Sequence, residues 1–310
     1  VLLMMRYTSR RLGALVFLAI AISIIDFAII RLIPGNPARN ILGTSDASPA
    51  LVARLDSQLG LNRPVVTQYW IWAGDVLRGN FGYSYSLKQS VSSLLAQNIP
   101  PTLELIVAGL ALTVVFGLLI GVAAALQRGR AIDTVLMATS VTFLSIPSFW
   151  LGLLLIEFFA VRIHLFPVVG GTGLTGLALP AITLGLGGVG LTARFVRSSV
   201  IEAAQLPHVV IARAKGVPRT LVLMRHVIRN SLLPVINIIG LQFGSLLSGV
   251  VIVEEVFSRN GLGRLLVDSI LAKDYPTVQA VVLLIAITYC VVTLLVDLAY
   301  RTLDPRTAAR

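Results

Sequence analysis

"TLELIVAGLALTVVFGLLIGVAAAL", residues 102–126, holds a single charged side chain, Glu104, at its start. A helix of that length reaches about 37 Å at about 1.5 Å per residue, more than the roughly 30 Å of a bilayer's hydrocarbon. It reads as a membrane-spanning helix, and Gly117 and Gly121 give it a small-residue stripe on which another helix can pack closely.

Working outward, five more apolar runs approach the same length: 12–31, 134–161, 175–195, 232–256 and 278–298. The run 134–161 contains Pro147, and 175–195 is the thinnest in apolar content, holding Pro180 and five glycines. Across all 310 residues, 56% are hydrophobic and only 13% charged, too little polar surface for a soluble domain of this size. The fold expected is an all-α polytopic membrane protein with six transmembrane helices.

The charges orient it. Six spans put both termini on one side. If that side is the cytoplasm, Arg6, Arg10 and Arg11 fall in the 1–11 tail and Arg128 and Arg130 in the short 127–133 loop. The 196–231 loop and its approach from Arg194 add seven basic residues, and the 299–310 tail adds Arg301, Arg306 and Arg310. The net charge of +11 is therefore read as positive-inside topology and not as nucleic-acid binding. The basic start "VLLMMRYTSRR" leads into an apolar run followed by "RLIPGNP" with no small-residue cleavage site, so an uncleaved first span is expected.

Two segments remain on the extracytoplasmic side, 32–101 and 257–277. "SPALVARLDSQLGLNRPVVTQYWIWAGDVLRG" reads as two short amphipathic helices broken between Gly60 and Pro64. "NFGYSYS" reads as a turn or short extended piece. A small extracytoplasmic helical cap is expected there, since a loop that long seldom lacks structure of its own.

The chemistry missing from the chain is informative. None of Lys88, Lys215 and Lys273 follows a glycine, so no phosphate-cradling P-loop is present. There is no His-Glu-x-x-His motif, His164, His208 and His226 lack ligand spacing, and the lone Cys290 can form no intrachain disulfide. No catalytic residue and no metal site is expected. Asp26, Glu104, Glu157 and Asp297 lie near span ends, where pairing or a water interface suffices. The fifth span carries Asn237, Gln242, Ser245 and Ser248, the last in line with Gly240 and Gly244. These side chains either join helices by hydrogen bonds or line a hydrated pathway, and the sequence leaves both open.

Between the fourth and fifth spans stands "HVVIARAKGVPRTLVLMRHVIRNSLLP", residues 208–234, with five arginines and lysines and no acid. Pro207 suits a helix start, Gly216 the residue that ends it, and Pro218 the first position of a second helix. The apolar face of the first helix is only Val209, Val210, Ala212 and Ala214. Small side chains beside an obligatory turn suit a protein groove better than a lipid surface, which favours Trp or Phe.

"IARAKG" followed by a basic stretch and "RNSLLP" resembles the EAA-type loop of binding-protein-dependent ABC importer permeases, in the form found in dipeptide, oligopeptide and nickel permeases. The literal "EAA" at Glu202 to Ala204 has the wrong spacing to Gly216. "RLIPGNPA", "LGLNRP", "GNFGYS", "PSFWLGLLLI", "VFSRNGLGRLLVDSILAKDYPTVQ" and "LDPR" resemble further signatures of that family in the same order. Asn36, Asn62 and Asn80 stand where the family usually has Asp, and Asn260 where Pro is common.

The resemblance implies the type I transmembrane-domain architecture of ABC importers. It makes Ala212, Arg213, Ala214, Lys215, Gly216, Val217 and Pro218 the ATPase-coupling segment. It also implies a homologous second permease, two ABC ATPase subunits that use ATP and Mg, and an extracytoplasmic substrate-binding protein. The implied substrate is a peptide, the chain itself binds no cofactor, and lipid surrounds it. The competing class is a self-contained secondary transporter or channel. That class wants a mid-membrane carboxylate, an inverted repeat or a broken-helix pair, and only the Gly-rich fourth span hints at the last.

Overall fold

The computed structural model describes residues 2–32, 48–58, 60, 62–168 and 173–303. The "IPGNPA" and "DPR" portions of the signatures above, with Asn36, and Leu59 and Leu61 of "LGLNRP" lie outside them. Among the described residues five helices are long and apolar enough to cross a membrane, or six if one bent pair counts as a single span.

The helices in chain order are α1 (Leu2–Leu32), α2 (Pro49–Gln58), α3 (Val65–Leu77), α4 (Val91–Leu126), α5 (Ala131–Ser145), α6 (Ser148–Leu155) and α7 (Gly173–Ala203). Then come α8 (Pro207–Ala214), a single turn Arg219–Leu221, α9 (Arg229–Val256), α10 (Leu262–Leu271) and α11 (Tyr275–Leu303). A two-residue antiparallel hairpin, β1 (Tyr83–Ser84) and β2 (Gln89–Ser90), pairs Tyr83 with Ser90. The chain forms two compact units: Val1–Thr8, Leu103–Arg259 and Val291–Arg310 make one, Ser9–Thr102 and Asn260–Cys290 the other.

In the first unit α7 is central, although its sequence is thinned by Pro180 and five glycines. Its glycines explain why. A Cβ on Gly185 would lie 2.8 Å from the Gly109 carbonyl oxygen, and one on Gly190 only 2.1 Å from that of Ser140. On the opposing α4, a Cβ at Gly117 would strike Thr192 and one at Gly121 the Ala193 carbonyl, each at 2.6 Å. Small residues here let backbones approach, and close packing holds the helices where lipid gives no hydrophobic drive between them. Leu105, Ile106, Leu179, Leu184, Val250 and Val253 fill the core beside this crossing.

The 134–161 run is two helices, α5 and α6, bent by 101°. Pro147 disfavours the helical conformation for Ile146, which is extended at φ −82°, ψ 123°. Beyond α6 the chain continues as a π-helical segment, Ile156–Arg162. Its wider turn brings residues five apart together, and Arg162 Nε donates to Glu157 Oε1 at 3.0 Å.

In the second unit Val91, Leu94 and Leu95 pack with Leu262, Leu265, Ala280 and Val281. That packing corrects one expectation. The helix that carries the second span does not start after Pro100-Pro101, because α4 begins at Val91 and runs through both prolines. The buried Val91 face outweighs the loss of two backbone donors. Asp274 fastens the hairpin: Ser84 Oγ donates to its carboxylate, and Thr277 Oγ1 donates to the same oxygen at 2.8 Å. A second tie is the Leu262 N–H donating to Thr102 Oγ1 at 2.7 Å.

Candidate functional site

Pro207 occupies the first turn of α8, where its missing N–H costs nothing, and Lys215 caps the other end. Gly216 takes φ +77°, the left-handed conformation that only glycine adopts without strain. The Gly216 N–H donates to the Arg213 carbonyl at 3.0 Å and the Val217 N–H to the Ala212 carbonyl at 3.2 Å. This is the paired C-terminal closure of a Schellman motif, and Val217 and Ala212 pack on the same cluster as that motif requires. Pro218 then precedes the next turn as its N-cap, one position earlier than expected.

The turn is seated on the protein's own core. Val209, fully buried, packs with Val196, Val200, Ala203, Val222 and Val227. The small apolar face therefore divides by helical period: Val209 and Ala212 point inward, while Val210, Arg213, Ala214, Lys215 and Gly216 are exposed. From Val222 to Ile228 the chain is π-helical before α9 begins. The His208 and His226 rings lie 6.1 Å apart there, and the Asn230 amide reaches His208 Nε2 at 3.3 Å and the His226 carbonyl at 2.6 Å.

Of the polar residues on the fifth span, Gln242 is buried between helices. Its Nε2 donates to the Gly188 carbonyl at 2.8 Å and lies 3.5 Å from Thr192 Oγ1. Gln242 thus takes the helix-joining one of its two readings. Ser245 and Ser248 are exposed, and Asn237 lies on the same helix with its side chain outside the described residues. The buried Gln242 and the exposed Ser245 and Ser248 thus do not share one environment.

The carboxylates divide as well. Glu104 accepts from Arg259 Nη2 at 2.5 Å and Glu157 from Arg162, which is the local pairing expected of both. Asp26 departs from that expectation: it is buried, and among the described residues its Oδ2 has no hydrogen-bond partner. The sequence reading missed Glu254, fully buried near the end of α9. It also missed the bidentate pair of Asp133 with Arg197, Nε and Nη2 each donating at 2.7 Å. Asp133 takes a third bond from the Gly129 N–H at 3.0 Å. An acid in the first turn of a helix that follows a Gly-containing loop was the available signal.

Comparison with known proteins identifies the class. Residues 117–309 match the family model "binding-protein-dependent transport system inner membrane component", and residues 4–106 match its N-terminal companion. The chain is 40% identical to the glutathione transport system permease protein GsiC of Salmonella choleraesuis (strain SC-B67) over 97% of its own length and 98% of the relative's. Identity to GsiC of Escherichia coli (strain K12) is 37% over the same shares. In fold it is similar to the MetNI methionine ABC transporter in its inward-facing form, with TM-score 0.58 and 21% identity, covering 68% of this chain and 96% of that one.

The chain belongs to the binding-protein-dependent transport system inner membrane component family. It is a multi-pass inner-membrane permease subunit of an ABC importer, of the peptide-type family. Membership implies ATPase and substrate-binding-protein partners.

Proposed function

We propose that this permease forms half of a transmembrane pathway for small peptides and pairs with a homologous second permease for the other half. Two separate ABC ATPase subunits supply the energy, and ATP and Mg are bound there and not on this chain. Both termini and the Pro207–Val217 turn lie in the cytoplasm, consistent with their basic loops. Closure of the ATPases on ATP pulls on that turn and switches access from one face to the other. An extracytoplasmic binding protein delivers the substrate.

The observation that carries this reading is the α8 turn. Its closing hydrogen bonds and buried Val209 make it rigid, while Ala214, Lys215 and Gly216 stay exposed for a partner. A lever of this kind transmits force only if it is fixed at its base. Ser245 and Ser248, exposed on α9, are proposed to face the pathway. The peptide assignment is supported by the relatives named for glutathione, itself a tripeptide.

The test is ATP-driven uptake by the complete complex in proteoliposomes, with its binding protein supplied outside. Radiolabelled glutathione, a dipeptide and a nickel chelate are compared. Accumulation of one peptide class supports the assignment, and accumulation of the chelate alone would overturn the peptide reading while leaving the importer intact.

A further inference from the structure

Helix α3 has one face that the protein buries and one that it does not. On the inner face Gln68 is buried and donates to the Arg63 carbonyl at 2.7 Å. Tyr69 and Trp72 on that side meet the ring of Phe27 in α1, with centroids 5.4 and 5.6 Å away. The other face carries Val66, Trp70 and Leu77, exposed at 70, 69 and 88%. Gly74 leaves a shallow open groove of about 430 Å³ beside Trp70 and Ile71. Arg63 and Arg78, both exposed, stand at the two ends of the helix.

The contacts with α1 fix its depth. Tyr69 Oη lies 2.9 Å from Ser23 Oγ, and Phe27 is the ring it touches. The apolar run of α1 ends at Ile30, before Arg31. Ser23 and Phe27 thus sit about 10.5 and 4.5 Å inside that end at about 1.5 Å per residue. A helix held there is at the level where acyl chains meet headgroups. Its 13 residues are too few to cross a bilayer, so it lies along the interface.

We propose that α3 is an interfacial helix whose Val66–Trp70–Leu77 face is sunk among phospholipid acyl chains, with Arg63 and Arg78 at the phosphates. Trp is the residue most suited to that boundary, with an apolar body for the chains and an indole N–H for the headgroup layer. The arginines match the charge of that layer at both ends of the apolar face. The helix then anchors the extracytoplasmic segment to the leaflet at the C-terminal end of the first span.

The experiment uses the complete transporter in nanodiscs of phosphatidylcholine brominated on its acyl chains, near the headgroup in one set and near the chain end in another. Trp fluorescence is compared between the native sequence and Trp70→Phe, which isolates the Trp70 contribution. Strong quenching of that contribution by bromine near the headgroup, with little quenching by aqueous acrylamide, is expected. A nitroxide on Val66→Cys gives an independent reading, with contact to oxygen exceeding contact to a water-soluble nickel chelate. Quenching of Trp70 by acrylamide and not by brominated lipid would overturn the proposal. So would a signal that neither reaches, because a protein surface would then cover the face.

Discussion

The side chain of Gln242 crosses from α9 to α7 and donates to the Gly188 carbonyl at 2.8 Å, in a space that exists only because Gly188 has no side chain. A Cβ there would lie 2.5 Å from the donating nitrogen and 2.7 Å from Thr113 Cγ2. Thr113 in turn donates from Oγ1 to the Gly185 carbonyl at 2.8 Å, so α4 and α9 both bond to the glycine stretch of α7.

This arrangement ranks substitutions at the contact of α7 with its neighbours. Gly190→Ala should destabilise most, by about 1–3 kcal/mol or more, since its Cβ meets the unyielding Ser140 backbone. Gln242→Leu should cost about 1 kcal/mol, the scale of one inter-helix hydrogen bond in a membrane. Gly187→Ala meets nothing within 4 Å and should be neutral or mildly stabilising. Thermal unfolding midpoints of the three purified variants in detergent check the order, and equal losses at positions 187 and 190 would refute it.

Asp133 and Arg197 join α5 to α7 through two parallel hydrogen bonds, with side-chain exposures of 7 and 29%. Arg197→Ala leaves a nearly buried carboxylate without its counter-ion. A double-mutant cycle with Asp133→Asn should show favourable coupling, the loss in the double variant falling short of the sum of the two single losses. Arg197→Lys should recover only part of it, because an ammonium cannot make the fork. Strictly additive effects would show that the pair contributes nothing of its own.

The carboxylate of Asp274 holds the hairpin by Ser84 and the start of α11 by Thr277. Asp274→Ala should speed amide hydrogen exchange across residues 83–90 while leaving the 229–256 helix unchanged. Ser84→Ala should reproduce the hairpin effect alone. Unchanged exchange in both variants would mean that the hairpin is held by its own pairing.

Most of the fold was legible from the sequence because apolar length is a strong signal and the bilayer fixes what counts as long enough. The Gly216 turn was legible for a local reason: one residue type satisfies a left-handed φ between a helix that starts at Pro207 and a turn capped by Pro218. The start of α4 was not. Pro100-Pro101 is a strong local stop, and the burial of Val91, Leu94 and Leu95 that overrides it comes from residues around 262–281. Asp133 and Arg197 are 64 positions apart, so no spacing rule could pair them. Gln242 kept two readings until its partner, a glycine carbonyl with no sequence signature, was placed.

Gly216→Asp and Ala212→Arg separate coupling from folding. No atom lies within 4 Å of a Cβ at Gly216, so the aspartate costs only the strain of its φ, about 1–2 kcal/mol. Ala212→Arg places a long cation at a half-buried contact of the turn. Both variants should insert into the membrane at near-normal levels and lose ATP-driven uptake. Uptake that persists in both would remove the coupling role from this turn.

The most direct measurement places a photo-crosslinking amino acid at Ala214, on the exposed side of the turn, in the complete transporter purified from its native membrane. Illumination is expected to join this chain to a P-loop ATPase subunit, whereas the same label at Val115, on the exposed face of α4, is not. Adducts at Ala214 with lipid alone, in a preparation shown to retain the ATPase, would contradict this expectation.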